Sequence, residues 1–226
     1  MKSSPPPTLD EVWGALAVPW WTAFEQAWQS WTEGNLGIGA VLVDPATGAT
    51  VAEGRNQVHV GGDAPLALHG NFMAHAEMNA FAAMASFRAD GLHLFTTLEP
   101  CFMCAATSIF LHVEHVNYAV ADEYFDGMHD LWQAHPYPRR HIPERTGPLP
   151  APLAAFARLL PLSAQLRTSA DDGVLAAATE AWSAVVSLAR EVAVDGTLEA
   201  VDADDGSAGD ALRALWPRLP QIAPWD

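Results

Sequence analysis

The chain contains only two cysteines, and they lie three residues apart in the segment Pro100-Cys101-Phe102-Met103-Cys104. Such a pair cannot form the disulfide framework that holds small secreted proteins together, so the fold must depend on a hydrophobic core. The pair is then metal-binding, redox-active or incidental. The neighbouring motifs and the overall composition separate these three possibilities.

Length and composition are those of a globular protein. The 226 residues are 50% hydrophobic, which is enough to build a core for one domain with or without an extension. The formal net charge is −16, from 27 acidic and 11 basic residues. Because nucleic-acid binding depends on basic groups that displace counterions from phosphates, this charge argues against a nucleic-acid partner. No segment resembles a signal peptide or a membrane span, and we expect a cytoplasmic protein without membrane contact.

Hydrophobic periodicity predicts alternating helices and strands over the first half of the chain. The elements expected, in order, are a tryptophan-rich helix over 23–31, strands over 39–43 and 50–54 joined as a hairpin, a helix over 73–87, a strand over 92–97, a helix over 101–111 and a strand over 115–120. This order predicts a three-layer α/β/α sandwich, with helices on both faces of one mixed sheet. The tryptophan stripe is expected in the core or at a subunit interface.

The pattern changes after Ala121. The second half is expected to contain a loop up to residue 152, a short helix over 153–160 that Pro161 ends, and a longer helix over 174–194 closed by Gly196. We therefore interpret residues 1–150 as a catalytic domain and residues 151–226 as a helical C-terminal extension.

The cysteine pair is preceded by a second motif, His75-x-Glu77, which lies in a predicted helix. A His-x-Glu triplet alone carries little information, and another one occurs at residue 112. With two cysteines and 17 prolines placed at random, a pair at this spacing directly after a proline arises about once in 1,500 sequences. Cysteines at i and i+3 in the first turn of a helix point to one side, where the helix dipole stabilises thiolates. The combination favours a metal site over a redox-active pair.

These residue types predict a catalytic zinc site with one Zn²⁺ per chain. The imidazole of His75 and the thiolates of Cys101 and Cys104 supply three ligands, which leave a fourth position for water, whereas a structural site would need a fourth protein ligand. Glu77 is then placed as the proton shuttle. It would take a proton from the activated water, pass it to a ring nitrogen and assist the departure of ammonia.

On His75-Ala-Glu77 and the segment Thr97-Leu-Glu-Pro-Cys-Phe-Met-Cys104, the chain resembles the cytidine and deoxycytidylate deaminase superfamily. It is more similar to the branch of tRNA adenosine, guanine and cytosine deaminases than to the small tetrameric cytidine deaminases. The similarity covers about residues 37–122. It implies a five-stranded sheet, with the two motif helices stacked against it, and a homodimer.

The resemblance also implies contacts with the substrate. Asn56 matches the position whose amide hydrogen-bonds the substrate ring, although without the resemblance we would interpret it as a turn asparagine. The backbone amide of Ala76 and the backbone carbonyl near Glu99 would contact the base and the leaving amine. In relatives, the segment that begins at the position of Asp122 caps the substrate. In this chain, Asp122 is either a wall of the pocket or part of a solvated loop.

The chain departs from the superfamily pattern at two places. Glycine stands at position 37 and Phe72-Met73 precede the zinc motif, where relatives commonly have proline and Pro-Thr. The bulkier Phe72 is expected to narrow or roof the pocket. Arg139, Arg140 and Arg145 form either a phosphate grip or part of a loop packed on an acidic body.

We therefore expect hydrolytic deamination of a small heterocyclic amine, namely a free nucleobase, a nucleoside or a similar compound, with no nucleic-acid partner. One alternative is a tRNA adenosine deaminase, which shares the motifs but requires a basic surface. A second is a zinc-bound scaffold or binding module without catalysis. The presence of Glu77 argues against the second alternative, since such a module needs the ligands but not the proton shuttle.

Overall fold

The structure is a computed structural model that describes residues 8–60, 68–125, 128–168 and 172–222. Within these ranges a five-stranded sheet has the order β2-β1-β3-β4-β5. The strands are β1 Gly39–Val43, β2 Thr50–Arg55, β3 His93–Thr96, β4 His115–Tyr118 and β5 Glu144–Thr146. Strand β1 is antiparallel to β2 and β3, whereas β3, β4 and β5 are parallel.

Helices precede, separate and follow these strands. The helices up to β5 are α1 Leu9–Ala15, α2 Val18–Thr32, α3 Ala76–Ala82, α4 Phe102–Leu111, a 3-10 turn Glu123–Phe125, α5 Met128–Gln133 and α6 Pro136–His141. Those after β5 are α7 Ala151–Thr168, α8 Asp172–Ala181, α9 Ser183–Asp195, α10 Thr197–Ala203, α11 Ala208–Leu215 and α12 Leu219–Ile222. No helix in the described ranges is long and apolar enough to cross a membrane.

The sheet separates two hydrophobic cores, because successive side chains of a strand point to opposite faces. In β1, Ala40 and Leu42 belong to the core that contains α3. Val41 and Val43 belong to the other core, which contains α2 and α7. The predicted mixed sheet with helices on both faces is confirmed.

The tryptophan-rich helix α2 packs against the helices that follow the sheet. The indole nitrogen of Trp31 donates a hydrogen bond to Ser163 Oγ at 2.9 Å, and that of Trp28 donates to the Gly206 carbonyl oxygen at 2.6 Å. The extension therefore shares a core with α2 and the sheet. The division between residues 150 and 151 stays a prediction, and it coincides with the first residue of α7.

The loop predicted between residues 121 and 152 is wrong in part, since the 3-10 turn, α5, α6 and β5 lie within it. Strand β5 has the sequence Glu144-Arg145-Thr146, and all three residues are exposed. A strand this short and polar has no hydrophobic periodicity. It forms because the neighbouring strand β4 offers backbone partners in a parallel register.

Pro161 was expected to end a helix at residue 160, but α7 continues through it to Thr168. A proline inside a helix removes one hydrogen bond and costs about 3 kcal/mol. Against this cost, every residue from Pro152 to Ala164 is buried. Full burial of Leu or Phe contributes about 1.5–3 kcal/mol for each side chain, so tertiary packing keeps the helix continuous.

The single helix predicted over 174–194 is also wrong, because it is divided into α8 and α9 at Trp182. No glycine or proline marks this break. Trp182 has φ −130° and ψ 41°, and its side chain packs against the main core. The predicted end at Gly196 is confirmed, since this residue has the left-handed conformation (φ 71°) that favours glycine.

Candidate metal centre and active site

The first part of the site is the beginning of α3. His75 has extended backbone (φ −73°, ψ 157°) and is the N-cap, so the helix begins at Ala76 rather than at the predicted residue 73. Gly54 of β2 lies directly against this first turn, where a Cβ atom would be 2.2 Å from the Ala76 carbonyl oxygen. Only glycine allows so close an approach. Gly54 thereby fixes the first turn of α3, and with it His75, against the sheet.

The second part of the site is the beginning of α4. Cys101 is the N-cap, again with extended backbone, and Cys104 lies in the first turn with its side chain fully buried. His75 and Cys101 thus both stand at the N-terminal ends of helices, where the helix dipole favours negative charge.

The three predicted ligands converge. His75 Nδ1 lies 3.5 Å from Cys101 Sγ and 3.6 Å from Cys104 Sγ, and the two sulfurs are 3.7 Å apart. Zinc binds cysteine sulfur at about 2.3 Å and imidazole nitrogen at about 2.0–2.1 Å, which places tetrahedral ligand atoms about 3.5–3.8 Å from one another. The observed distances match these values. The donor set and its spacing therefore fit one zinc ion.

Glu77 adds a carboxylate beside the ligands. Its Oε2 lies 3.5 Å from Cys104 Sγ, and its side chain is 3% exposed. Burial raises the pKa of Glu77 to about 7, while the charge of His75 acts in the opposite direction. A carboxyl group with a pKa near neutrality can both accept and return a proton under physiological conditions.

The cysteines differ in acidity because they hydrogen-bond each other. The hydrogen bond with Cys104 is the main reason that the pKa of Cys101 is lowered to about 4, and His75 lowers it further. The same hydrogen bond and burial hold the pKa of Cys104 well above its usual range. The arrangement favours a thiolate at Cys101, which is the form in which cysteine binds a metal.

Asn56 is buried at the end of β2, and its backbone N–H donates to the Ile38 carbonyl oxygen at 2.9 Å. Its side-chain Oδ1 accepts a hydrogen bond from the Val58 N–H at 3.2 Å. Its Nδ2 is buried and has no hydrogen-bond partner among the described residues. Since buried donors normally have partners, this amide can donate to a ligand.

Glu99 and Asp122 contact each other, and Glu99 precedes the N-cap of α4 by two residues. Glu99 Oε2 accepts a hydrogen bond from the Asp122 N–H at 3.0 Å, and Glu99 Oε1 pairs with the Arg145 guanidinium. The side chain of Asp122 is buried, and burial raises its pKa to about 6. Burial acts to lower the pKa of His75, but the hydrogen bond with Cys101 and the negative charges of Glu77, Cys101 and Asp122 raise it above its usual value.

The remaining predicted residues lie on the surface. The Phe72 side chain is 92% exposed, and its expected role at the pocket stays a prediction. Arg139 and Arg140 belong to α6, whereas Arg145 pairs with Glu99 and lies 5.1 Å from the centre of the Tyr118 ring. The structure thus gives Arg145 a carboxylate partner and leaves the predicted phosphate grip untested.

Residues 21–120 match the family model of the cytidine and deoxycytidylate deaminase zinc-binding region. The matched segment contains His75, Glu77 and both cysteines. This part of the chain, less than half of it, resembles the cytidine and deoxycytidylate deaminase superfamily. The mixed five-stranded sheet and flanking helices agree with a cytidine deaminase-like α/β fold.

Individual superfamily members resemble the chain over part of its length. The tRNA-specific adenosine deaminase of Streptococcus pyogenes serotype M1 is 30% identical over 111 residues, which cover 49% of this chain and 61% of that protein. A structure from a study of A-to-I editing by tRNA:A34 deaminases is 25% identical, with a TM-score of 0.45, over 55% of this chain and 92% of that one. The structure of the guanine deaminase of Bacillus subtilis is 27% identical, with a TM-score of 0.39, over 47% of this chain and 66% of that one.

One departure from the superfamily pattern has a structural reason. Gly37 has φ +67°, and a Cβ atom there would lie 3.0 Å from Leu160 Cβ of α7. The proline common at this position in the superfamily is fixed near φ −65° and cannot adopt this backbone. The packing of α7 against the entry to β1 therefore requires glycine.

Sequence reasoning missed one charged pair next to the site. Arg158 of α7 is 2% exposed, and its guanidinium pairs with Glu123 of the 3-10 turn. The available signal was a single arginine in the otherwise apolar run 153–162, since a fully buried arginine is rare unless it is paired.

Proposed function

We propose that the protein is a zinc-dependent hydrolytic deaminase of small heterocyclic amines. It would convert the exocyclic amine of a free nucleobase, a nucleoside or a similar heterocycle to a carbonyl, with release of ammonia. One observation carries the proposal. A histidine nitrogen and two cysteine sulfurs converge at distances suited to zinc, and the buried carboxylate of Glu77 lies 3.5 Å from one of those sulfurs.

The chain's own residues divide the work. His75, Cys101 and Cys104 would hold one zinc ion per chain. A zinc ion with three protein ligands keeps one coordination position open and lowers the pKa of water to about 7. Glu77 would accept a proton from the attacking water and deliver it to a ring nitrogen. It would then accept the second proton, from the hydroxyl group of the tetrahedral adduct, and pass it to the leaving amine. The new carbon–oxygen bond then replaces the carbon–nitrogen bond, and the amine leaves as ammonia.

Four groups are suited to hold the heterocycle. The unpartnered Nδ2 of Asn56 would donate to a ring oxygen or nitrogen. Ala76 is the first residue of α3, and N–H groups in the first turn of a helix have no partner within the helix. The backbone carbonyl of Glu99 would accept from the leaving amine, and the buried carboxylate of Asp122 would form one wall of the pocket.

The distribution of charge supports a small substrate. All ten arginines lie in the described part of the chain, and seven of them pair there with carboxylates. Paired arginines are poor partners for phosphates, and the net charge of −16 repels a polyanion. A free nucleobase or nucleoside needs no such contacts.

Sequence similarity favours a second candidate, a tRNA adenosine deaminase. The curated relatives with that name are 30–33% identical to this chain, but the alignments cover only 58–66% of their length. The motifs shared with them hold the metal and move protons, and these motifs do not distinguish a base in RNA from a free base. A catalytically inactive scaffold is disfavoured, because Glu77 is retained and buried beside the ligands.

We also propose that the protein forms a homodimer, as the superfamily resemblance implies. Helix α4 carries two exposed aromatic side chains, Phe102 at 51% and Phe110 at 72%. Exposed aromatic residues on one helix favour a protein interface. Light scattering of the purified protein tests this state, and a mass of one chain would contradict it.

The decisive experiment is a screen for ammonia release. Purines, pyrimidines, their nucleosides and triazine analogues would be incubated with zinc-loaded protein, with the Glu77→Gln variant as the blank. We expect release from at least one compound that the variant does not support. Ammonia release from none of them, together with inosine formation in a tRNA anticodon stem-loop, would instead establish the second candidate.

A further inference from the structure

The 3-10 turn Glu123–Phe125, which directly follows Asp122, contacts two helices of the extension. Helix α8 packs against this turn. From α7, the guanidinium of Arg158 donates a hydrogen bond to Glu123 Oε1, and the side chains of these two residues are 2% and 13% exposed. The extension is thus in direct contact with the residue that follows Asp122.

The residue before this turn also contacts the loop between β3 and α4. Glu99, which precedes the first cysteine by two residues, accepts a hydrogen bond from the Asp122 N–H at 3.0 Å. Asp122 Oδ1 in turn accepts from the Tyr124 N–H at 3.1 Å. The backbone of Asp122 is therefore held from two sides, by Glu99 of the loop between β3 and α4 and by helix α7 through the Glu123–Arg158 pair.

Burial of the Arg158–Glu123 pair costs free energy. Within the described residues, Arg158 Nε and Glu123 Oε2 are buried without a hydrogen-bond partner. Burying two charges costs several kcal/mol of desolvation for each ion, and apolar side chains of similar volume are often equally or more stable in such places. Stability alone therefore does not explain an arginine at this point of an apolar helix. Its position next to the turn that follows Asp122, the proposed wall of the substrate pocket, gives a reason for it.

We propose that Arg158 is a positioning residue that holds Asp122 in the substrate site through Glu123. The extension is then part of the site and not an appendage. This inference rests on the proposed function, in which Asp122 forms a wall of the pocket. Arg158 would affect the binding of substrate. The three proposed ligands would affect metal binding, and Glu77 would affect proton transfer.

The test removes the charges without leaving one of them unpaired. Arg158→Met combined with Glu123→Gln should fold and retain zinc. It should raise KM for the best substrate of the ammonia screen at least about tenfold, the equivalent of one lost hydrogen bond to a charged group. The kcat should change by less than about threefold, because Glu77 and the ligands are untouched.

Helix α7 offers a matched control. Arg167 stacks on the Trp31 ring, 3.8 Å from its centre, and pairs with Glu199 at 3.8 Å. Arg167→Met combined with Glu199→Gln removes a more exposed ion pair (32% and 45%) of the same helix and should leave KM unchanged. The conservative variant Arg158→Lys, which retains the positive charge, should fall between wild type and the double variant.

Hydrogen exchange provides a readout that does not require turnover. The backbone amides of Asp122 and Tyr124 are hydrogen-bonded in the turn, so they should exchange at least about tenfold faster in the Arg158→Met, Glu123→Gln variant and at the wild-type rate in the Arg167 control. Unchanged exchange, or faster exchange with an unchanged KM, would overturn the inference. A wild-type protein that releases ammonia from no compound would overturn the proposed function, and hydrogen exchange would still decide whether Arg158 positions Asp122.

Discussion

Glu77 Oε2 lies 3.5 Å from Cys104 Sγ, although the two residues belong to different helices with strand β3 between them in the chain. The carboxylate is therefore held against a proposed metal ligand and away from bulk water. Its burial raises its pKa to about 7. Because Glu77 is not one of the three proposed ligands, variants can test metal binding and proton transfer separately.

The first prediction concerns the metal. Protein purified and dialysed should contain about one zinc per chain, as three ligands and one open position imply. The Cys101→Ser, Cys104→Ser double variant and the His75→Gln variant should lose it, whereas His59→Gln at an exposed position should keep it. Elemental analysis measures all four proteins. Wild-type protein without zinc, or zinc retained by the double-serine variant, would contradict the site.

The second prediction separates proton transfer from metal binding. Glu77→Gln has nearly the same shape but cannot exchange a proton, so activity should fall at least about a hundredfold, the scale of general acid–base catalysis. Zinc content and melting temperature should not decrease. The chain contains its own control in the second His-x-Glu triplet, where Glu114 is exposed and Glu114→Gln should be fully active. Equal activity of the two variants would exclude Glu77 as the proton shuttle.

The third prediction concerns the extension. Phe156 of α7 is fully buried and its ring lies 5.7 Å from that of Phe24 in α2. Phe156→Ala should lower the free energy of unfolding by about 3–5 kcal/mol, since it leaves a cavity between α7 and α2. Phe87 is 94% exposed, and Phe87→Ala should change the free energy of unfolding by less than about 0.5 kcal/mol. Urea denaturation followed by tryptophan fluorescence provides the measurement. A Phe156→Ala variant as stable as Phe87→Ala would show that the extension does not contribute to the core.

The fourth prediction is that the protein does not bind tRNA. A stem-loop requires several phosphate contacts, and most arginines of this chain already pair with carboxylates. Gel mobility shift at low salt is the most severe measurement, because electrostatic binding is strongest there. We expect a Kd for an anticodon stem-loop weaker than about 10 micromolar, in the range of non-specific binding. Tighter binding with inosine formed in the loop would favour the tRNA deaminase instead.

The sequence by itself identified the candidate metal ligands and the candidate proton shuttle. The spacing of Cys101 and Cys104 and the His75-x-Glu77 motif are local patterns, and local patterns specify which side chains share one face of a helix turn. Hydrophobic periodicity likewise predicted β1 to β4 and the helices between them. The predicted order of these elements is confirmed, although the helix predicted over 73–87 extends only over Ala76–Ala82.

Only the tertiary structure decided the features that join distant parts of the chain. Helix α7 passes through Pro161 because it is buried along most of its length, and β5 forms because β4 offers an edge. The Arg158–Glu123 pair joins the extension to the turn beside Asp122 across 35 positions of sequence. Such contacts leave no periodic signal, because their free energy comes from the packing of segments that are far apart in the chain.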